Sequence, residues 1–163
     1  MYRLFFSLII NVIMFYSLLW CSGKKPKSYP LDKFKNALET IQIGDQKIIL
    51  ETYLWRDFMP KSKPAGSDLK IVVNVISKSD ISLLRSLDVD SVWVINQNEI
   101  WGGNLEDSGI QDTSNLDMKI QKTASDGPLW KPGIKVTVVV KIIDVNQKTY
   151  LLKADNQIIH QTF

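Results

Sequence analysis

Short runs in which apolar and polar residues alternate occupy most of the chain, and this alternation is typical of β-strands with one buried face. The clearest strands are predicted at Ile134–Asp144, Lys148–Ala154 and Gln157–Phe163. Two earlier hairpins are predicted around short polar turns, one at Gly44–Gln46 and one at Asn96–Asn98. Their strands, with the remaining candidates, are Thr40–Ile43, Lys47–Phe58, Leu69–Ile76, Ser91–Ile95, Glu99–Trp101 and Met118–Lys122, whereas Gly102–Leu116 is polar and predicts a loop.

Roughly six to eight short strands without a sustained helical period favour an all-β fold, either an antiparallel sandwich or a barrel. We expect an immunoglobulin-like sandwich over residues 37–163. The chain lacks the paired cysteines of antibody domains, so this expectation depends on the strand pattern. Apolar residues spaced three and four apart predict a short amphipathic helix before the first strand: Leu31, Phe34, Leu38 and Ile41.

The N-terminal end differs from the rest in composition. Arg3 precedes an apolar run from Leu4 to Trp20, the pattern of a secretory signal peptide over residues 1–20. The run is also near the lower length limit for a spanning helix, so an uncleaved anchor is the alternative. Residues 21–36 begin with a polar stretch that contains three lysines and two prolines, and this composition predicts a flexible tether.

The junction at Cys21 resembles the lipobox of bacterial lipoproteins, in which the cysteine is acylated and becomes the mature N-terminus. Leu18 and Cys21 match that motif, whereas Trp20 occupies a position that normally holds a small residue. Cys21 is the only cysteine of the chain. The resemblance implies a diacylglyceryl anchor at Cys21 and a cell-envelope location on the outer membrane or periplasmic side. Cleavage after Gly23, releasing a soluble secreted or periplasmic protein, is the alternative.

Composition excludes several classes of function. The 163-residue chain has a net charge of only +3 and no arginine-rich stripe, so nucleic acid is not an expected partner. His160 is the only histidine, which argues against a multi-histidine metal site or a Ser-His-Asp triad located elsewhere. No cofactor or metal is predicted. The expected partners are the membrane, through the anchor, and a protein of the envelope.

The first candidate for a contact surface is the segment Leu54–Pro60, which reads LWRDFMP. Large apolar residues and charged residues alternate there, and arginine and tryptophan are frequent anchors of protein interfaces. Trp55, Arg56 and Asp57 are therefore candidate binding residues. The structural alternative is a core tryptophan beside a structural ion pair.

The second candidate is the segment Asp126–Gly133, whose glycines and prolines predict a rigid loop holding Trp130 before the strongest strand. A rigid loop that presents an aromatic side chain resembles the inhibitory loops of chagasin-type protease inhibitors. Together with the LWRDFMP stretch it also resembles small bacterial secreted or lipoprotein domains, a likeness covering roughly Ile41 to Phe163. That resemblance implies an extracytoplasmic β-rich domain and assigns no activity. Trp101, before two glycines, is the third candidate tryptophan.

The sequence therefore predicts a non-enzymatic binding module held at the cell envelope, using Trp55, Arg56, Asp57, Trp101 and Trp130. Burial of all three tryptophans would argue against it. A structural accessory domain of an envelope assembly is the second hypothesis, and a protease-inhibitor-like module is a further one. An enzyme using Asp57 and Asp126 as a carboxylate pair is the least favoured, since it requires both side chains in one cleft.

Overall fold

The computed structural model describes residues 29–60, 65–77, 81–112 and 118–163. In these ranges β-strands dominate, accompanied by a 3-10 helix at Leu31–Phe34 and a short helix α1 at Ile81–Arg85. The all-β class is confirmed. The strands are β1 (Thr40–Ile43), β2 (Gln46–Asp57), β3 (Leu69–Ser77), β4 (Asp88–Asn96), β5 (Glu99–Gly103), β6 (Glu106–Asp112), β7 (Met118–Gly127), β8 (Lys135–Ile143) and β9 (Thr149–Thr162).

The strands form one curled sheet in the order β5-β4-β8-β9-β2-β3-β7-β6, and β1 pairs with β2 outside this path. Every pairing is antiparallel except that of β2 with β9, which is parallel. The first part of β9 pairs with β8 and its last residues pair with β2. Asn156, at φ +57°, lies at an irregularity of the β8–β9 register, two residues before the last β9 residue that pairs with β8. The purely antiparallel immunoglobulin-like sandwich is therefore not confirmed, because β9 joins the two halves into one mixed sheet.

A second change of neighbour occurs where β5 continues into β6 through Asn104 and Leu105. β5 pairs with β4 at one end of the sheet, and β6 pairs with β7 at the other. Residues 102–116 were expected to form a loop, and the structure instead extends β5 to Gly103 and adds β6. An edge strand needs backbone pairing on one side only and tolerates polar side chains, which explains why the sequence resembled a loop.

Glycines let the two ends of the curled sheet approach each other. A Cβ atom on Gly103 would lie 2.9 Å from the Cβ of Ala124 on β7, and one on Gly127 would lie 3.2 Å from the Trp101 ring. The inward side chains of both halves consequently pack into one hydrophobic core. On β8 these are Val136, Val138, Val140 and Ile142, all buried, and each contributes about 1.5–3 kcal/mol through burial.

The outer face of β4 and β8 is covered by residues 29–38, which we call the N-terminal strap. Phe34 packs on Trp93 with ring centroids 5.0 Å apart, and Tyr29 meets the same ring edge-on at 6.2 Å. Val139 and Ala37 complete this small second cluster. Residues 29–36, assigned from sequence to the flexible tether, thus pack against the folded body.

Only the start of the strap is helical. The amphipathic pattern predicted a helix over Leu31–Ile41, but the helix ends at Phe34 and has no side-chain cap. Leu38 instead joins the sheet: its N–H donates to the Leu151 carbonyl at 3.1 Å, and its carbonyl accepts from Lys153 N–H at 2.8 Å. Apolar residues spaced three and four apart can therefore also pack against a sheet from a segment that is mostly not helical.

The predicted signal peptide, Cys21 and the first part of the tether lie outside the described residues. Among the residues that are described, no helix combines the length and apolar character needed to cross a bilayer.

Candidate interaction surface

The outer surface of β2 and the end of β9 carries a group of exposed apolar side chains. Alternation along β2 turns Leu54 and Arg56 inward and Tyr53 and Trp55 outward. The parallel register pairs Trp55 with His160. Ile158 precedes His160 by two residues and shares its side of the strand, since Ile159 between them is fully buried. Tyr53, Trp55, Ile158 and His160 form what we call the β2–β9 face.

The aromatic rings of the β2–β9 face stack on one another. The Tyr53 ring lies 4.9 Å from the His160 ring at an angle of 15°, and 5.5 Å from the Trp55 ring at 31°. Tyr53 remains 45% exposed and Ile158 42% exposed, whereas Trp55 is half-buried. Because stacking already restricts these rings, a partner that binds them has little side-chain entropy left to remove.

Charged residues border the face on both sides. On β3, Lys70 pairs with Trp55, and on β8 Lys135 pairs with Ile158. Directly paired residues project from the same side of an antiparallel sheet, so both lysines lie beside the aromatic rings. Glu51, two residues before Tyr53 on β2, is an acidic residue at this border, and it is exposed. Asp57, two residues after Trp55, is a second carboxylate on this side of β2, so the border carries charges of both signs.

Arg56, predicted as a contact residue, is instead buried, with 3% of its surface exposed. Its guanidinium donates to backbone carbonyls of two separate loops. The acceptors are the carbonyl oxygens of Ser67 (2.8 Å), Leu129 (3.2 Å), Trp130 (2.9 Å) and Ala65 (2.5 Å). Its inward position on β2 removes Arg56 from any surface that a partner could reach.

Asp57 closes the turn that follows β2. Its Oδ1 accepts a hydrogen bond from the Met59 N–H at 2.9 Å, and its own N–H donates to the Ser67 hydroxyl at 2.8 Å. The carboxylate is half-buried and is engaged in local backbone geometry. Its predicted role at a contact surface stays a prediction, and the described contacts assign it a structural role.

The three candidate tryptophans do not form one patch. All three are half-buried, so none is fully withdrawn from solvent. Trp101 and Trp130 pack against the main core, and Trp130 donates from Nε1 to the Glu99 carboxylate at 2.5 Å. Of the three candidate tryptophans, only Trp55 lies on the β2–β9 face. Of the residues predicted from sequence, Trp55 lies on the β2–β9 face and Asp57 lies at its edge on the same side of β2.

Sequence reasoning missed Tyr53, Ile158 and His160 as members of this surface. Tyr53 carried a usable signal, because it lies two residues from Trp55 and must share its side of a strand. Ile158 and His160 carried none, since the parallel pairing of β9 with β2 joins residues from distant parts of the chain.

Two ion pairs are the clearest electrostatic features outside this face. A hydrogen bond from the Lys153 ammonium holds the pKa of Asp155 below its ordinary value, and the same contact raises the pKa of Lys153. The Lys141 ammonium, with help from the Ser91 hydroxyl, lowers the pKa of Asp90 in the same way. Among the described residues, no three His, Cys, Asp or Glu side chains are grouped so that they could hold a metal ion.

Comparisons of the chain with protein-family models, with curated proteins and with solved structures found no match. The function of the β2–β9 face must therefore be inferred from its own geometry and chemistry.

Proposed function

We propose that this protein is a non-enzymatic binding module of the cell envelope, anchored through Cys21, that presents the β2–β9 face to a protein partner. The observation that carries the proposal is the stacked, solvent-facing position of Tyr53 between Trp55 and His160. Aromatic residues are enriched at the centres of protein interfaces because they bury a large area at a small entropic cost.

The arrangement of the curled sheet suits an anchored binder. The N-terminal strap, which includes the last residues of the predicted tether, packs on the outer face of β4 and β8. The β2–β9 face belongs to the other half of the sheet, and the inner sides of both halves pack on the same core. The two outer faces therefore point in different directions. An anchor attached through the strap would leave the β2–β9 face free for a partner.

The chemistry of the face indicates what the partner presents. Stacked rings and an exposed isoleucine favour an apolar or aromatic surface, and Lys70 and Lys135 favour acidic residues at its edge. Exposed charges at a rim mainly affect the association rate and its salt dependence, while the buried aromatic contacts dominate affinity.

Site-directed photocrosslinking in intact envelope tests the proposal. A photoreactive amino acid replaces Tyr53 in one variant and Val145 in a control, because Val145 is also exposed, at 67%, but lies in the β8–β9 turn. We expect one protein to be crosslinked from position 53 and not from position 145. Trp55→Ser should weaken the crosslink when the probe is placed at His160. Equal labelling from both positions would contradict the proposed face and favour a structural accessory role.

The anchor has its own test, independent of the face. The intact mass of the mature chain distinguishes an acylated N-terminal Cys21 from a start at Lys24 and from an uncleaved Met1. We expect the diacylglyceryl mass. A start at Lys24 would leave the binding proposal standing and overturn the membrane attachment.

A further inference from the structure

A cleft of about 530 Å³ opens between the N-terminal strap and the outer side of β4 and β5. It lies where the two strands separate, since their pairing ends at Val92 and Gly103. The β4–β8 register is also irregular between Val89 and Ser91, which places Asp90 beside the opening. The cleft is unrelated to the β2–β9 face and is not used by the proposed function.

The Asp90 carboxylate and the Ser91 hydroxyl line one side of this cleft. The Ser91 hydroxyl donates to Asp90 Oδ2 at 2.6 Å, and the Lys141 ammonium forms an ion pair with the same carboxylate. Lys141 also keeps Asp90 ionised by lowering its pKa, so the carboxylate is available only as an acceptor. Because Lys141 balances this charge, the pair favours neither a cationic nor an anionic ligand.

The other side of the cleft combines the Tyr29 ring with open backbone. Tyr29 is half-buried at the cleft and meets the Trp93 ring edge to face, with centroids 6.2 Å apart, whereas Trp93 itself is only 5% exposed. Gly102 and Gly103 contribute backbone without side chains. A Cβ atom on Gly102 would lie 2.8 Å from the Tyr29 hydroxyl, so glycine keeps space for that group. Asn104 adds an exposed amide at the rim.

We propose that this cleft binds an uncharged saccharide of one or two sugar units. A sugar presents several hydroxyl groups that both donate and accept, which matches a fixed carboxylate acceptor together with hydroxyl and amide groups that do both. Its apolar C–H faces suit the half-buried Tyr29 ring. The volume falls within the range of small-molecule sites, and the charge balance at Asp90 and Lys141 selects against ions.

Amide chemical-shift titration of the isotope-labelled mature chain tests this assignment. The probes are maltose and N,N′-diacetylchitobiose, with tetramethylammonium and inorganic phosphate as charged comparisons. We expect saturable shifts of the Ser91, Gly102, Gly103 and Asn104 amides with one of the two disaccharides. Neither charged probe should produce them.

Two variants and a control connect such binding to the cleft. Asn104→Ala and Ser91→Ala remove one polar group each and should weaken the disaccharide about three- to tenfold, the effect of one lost hydrogen bond. Gln97→Ala, in the exposed hairpin turn at the far end of β4 and β5, should leave the affinity unchanged. The spectra of the unliganded variants report whether each is folded.

Three results would overturn the proposal. One is the absence of saturable shifts with either disaccharide up to about 20 mM, a concentration that reveals even millimolar affinity. Another is equally strong binding of a charged probe, which would identify an ion site. The third is disaccharide binding that Asn104→Ala and Ser91→Ala leave unaltered, which would place the sugar elsewhere.

Discussion

Arg56 donates a hydrogen bond from Nη1 to the backbone carbonyl oxygen of Trp130, 2.9 Å away. Both residues stand out in the sequence as candidate contact residues, and they do meet in the fold. They meet through the backbone, however, and the arginine is almost completely buried. Since its other donors bind carbonyls at residues 65, 67 and 129, Arg56 fastens two loops to the end of β2.

Replacing Arg56 with methionine should lower the free energy of unfolding by about 2–4 kcal/mol, because buried carbonyl groups would lose their donors. Urea denaturation followed by tryptophan fluorescence measures the loss. Arg85→Met, an exposed change in α1, is the control and should stay within about 0.5 kcal/mol of wild type. A loss for Arg56→Met no larger than that of the control would show that water replaces the guanidinium without cost.

Gly66→Ala should destabilise the protein more than Gly44→Ala. Both glycines have left-handed backbone angles, φ +80° and φ +58°, which cost an alanine about 1–2 kcal/mol. At Gly66 the new Cβ would also lie 2.7 Å from the Phe58 ring, whereas at Gly44 nothing lies within 4 Å. We expect an additional loss of about 1–2 kcal/mol at Gly66 from this overpacking. If Gly66→Ala and Gly44→Ala had equal midpoints of thermal denaturation, the Phe58 ring would have moved aside without cost.

The N-terminal strap should contribute measurably to stability. Phe34→Ala removes the buried ring that covers Trp93 and should cost about 3–4 kcal/mol. The newly wetted Trp93 should become more accessible to quenching by acrylamide. Leu31→Ala, a change at a side chain 38% exposed, is the matched control and should alter neither quantity strongly. Unchanged quenching in Phe34→Ala would indicate that the strap does not shield the tryptophan.

Acid should weaken the contribution of Asp155. The Lys153 contact holds the pKa of Asp155 below its unfolded-state value. The stabilisation is therefore complete above the unfolded-state pKa and is lost as the pH falls through the lower folded-state pKa. The stability difference between wild type and Asp155→Asn should accordingly shrink as the pH is lowered from about 5 to about 2, as measured by urea denaturation.

Asp45→Asn, in the exposed β1–β2 turn, is the control for this pH series. A difference between wild type and Asp155→Asn that stays constant over the same range would contradict a role for the ionised carboxylate. For Lys153 the pH dependence is reversed, because its pKa is raised in the folded state. The stabilisation from Lys153 is complete below the unfolded-state lysine pKa and is lost as the pH rises through the folded-state pKa.

The strand positions were largely predictable because each depends on local alternation. β8 is an example: Val136, Val138 and Val140 are buried as the alternation requires. β6 was missed because an edge strand lacks the strong apolar signal of a central one. The helix over Leu31–Ile41 was overestimated because helical spacing of apolar residues does not distinguish a helix from a segment packed flat on a sheet.

The candidate surface was less predictable than the fold. The alternation of β2 already separates Tyr53 and Trp55 from Leu54 and Arg56, but it does not say which pair faces the core. Tertiary packing determines which pair faces inward. Leu54 is buried in the core, and Arg56 is buried on the same side because loop carbonyls accept hydrogen bonds from its guanidinium. Trp101 and Trp130 were drawn to the core for the same reason, namely the large apolar area that burial removes from water.

The sequence by itself therefore determined the all-β class and most of the strands, since both depend on neighbouring residues. Its N-terminal pattern also predicts export and a lipid anchor at Cys21. The tertiary structure decided the parallel pairing of β9 with β2, the inward position of Arg56 and the stack of Tyr53 on His160. The β2–β9 pairs join residues about a hundred positions apart, and no local pattern specifies which distant strand will provide the neighbour.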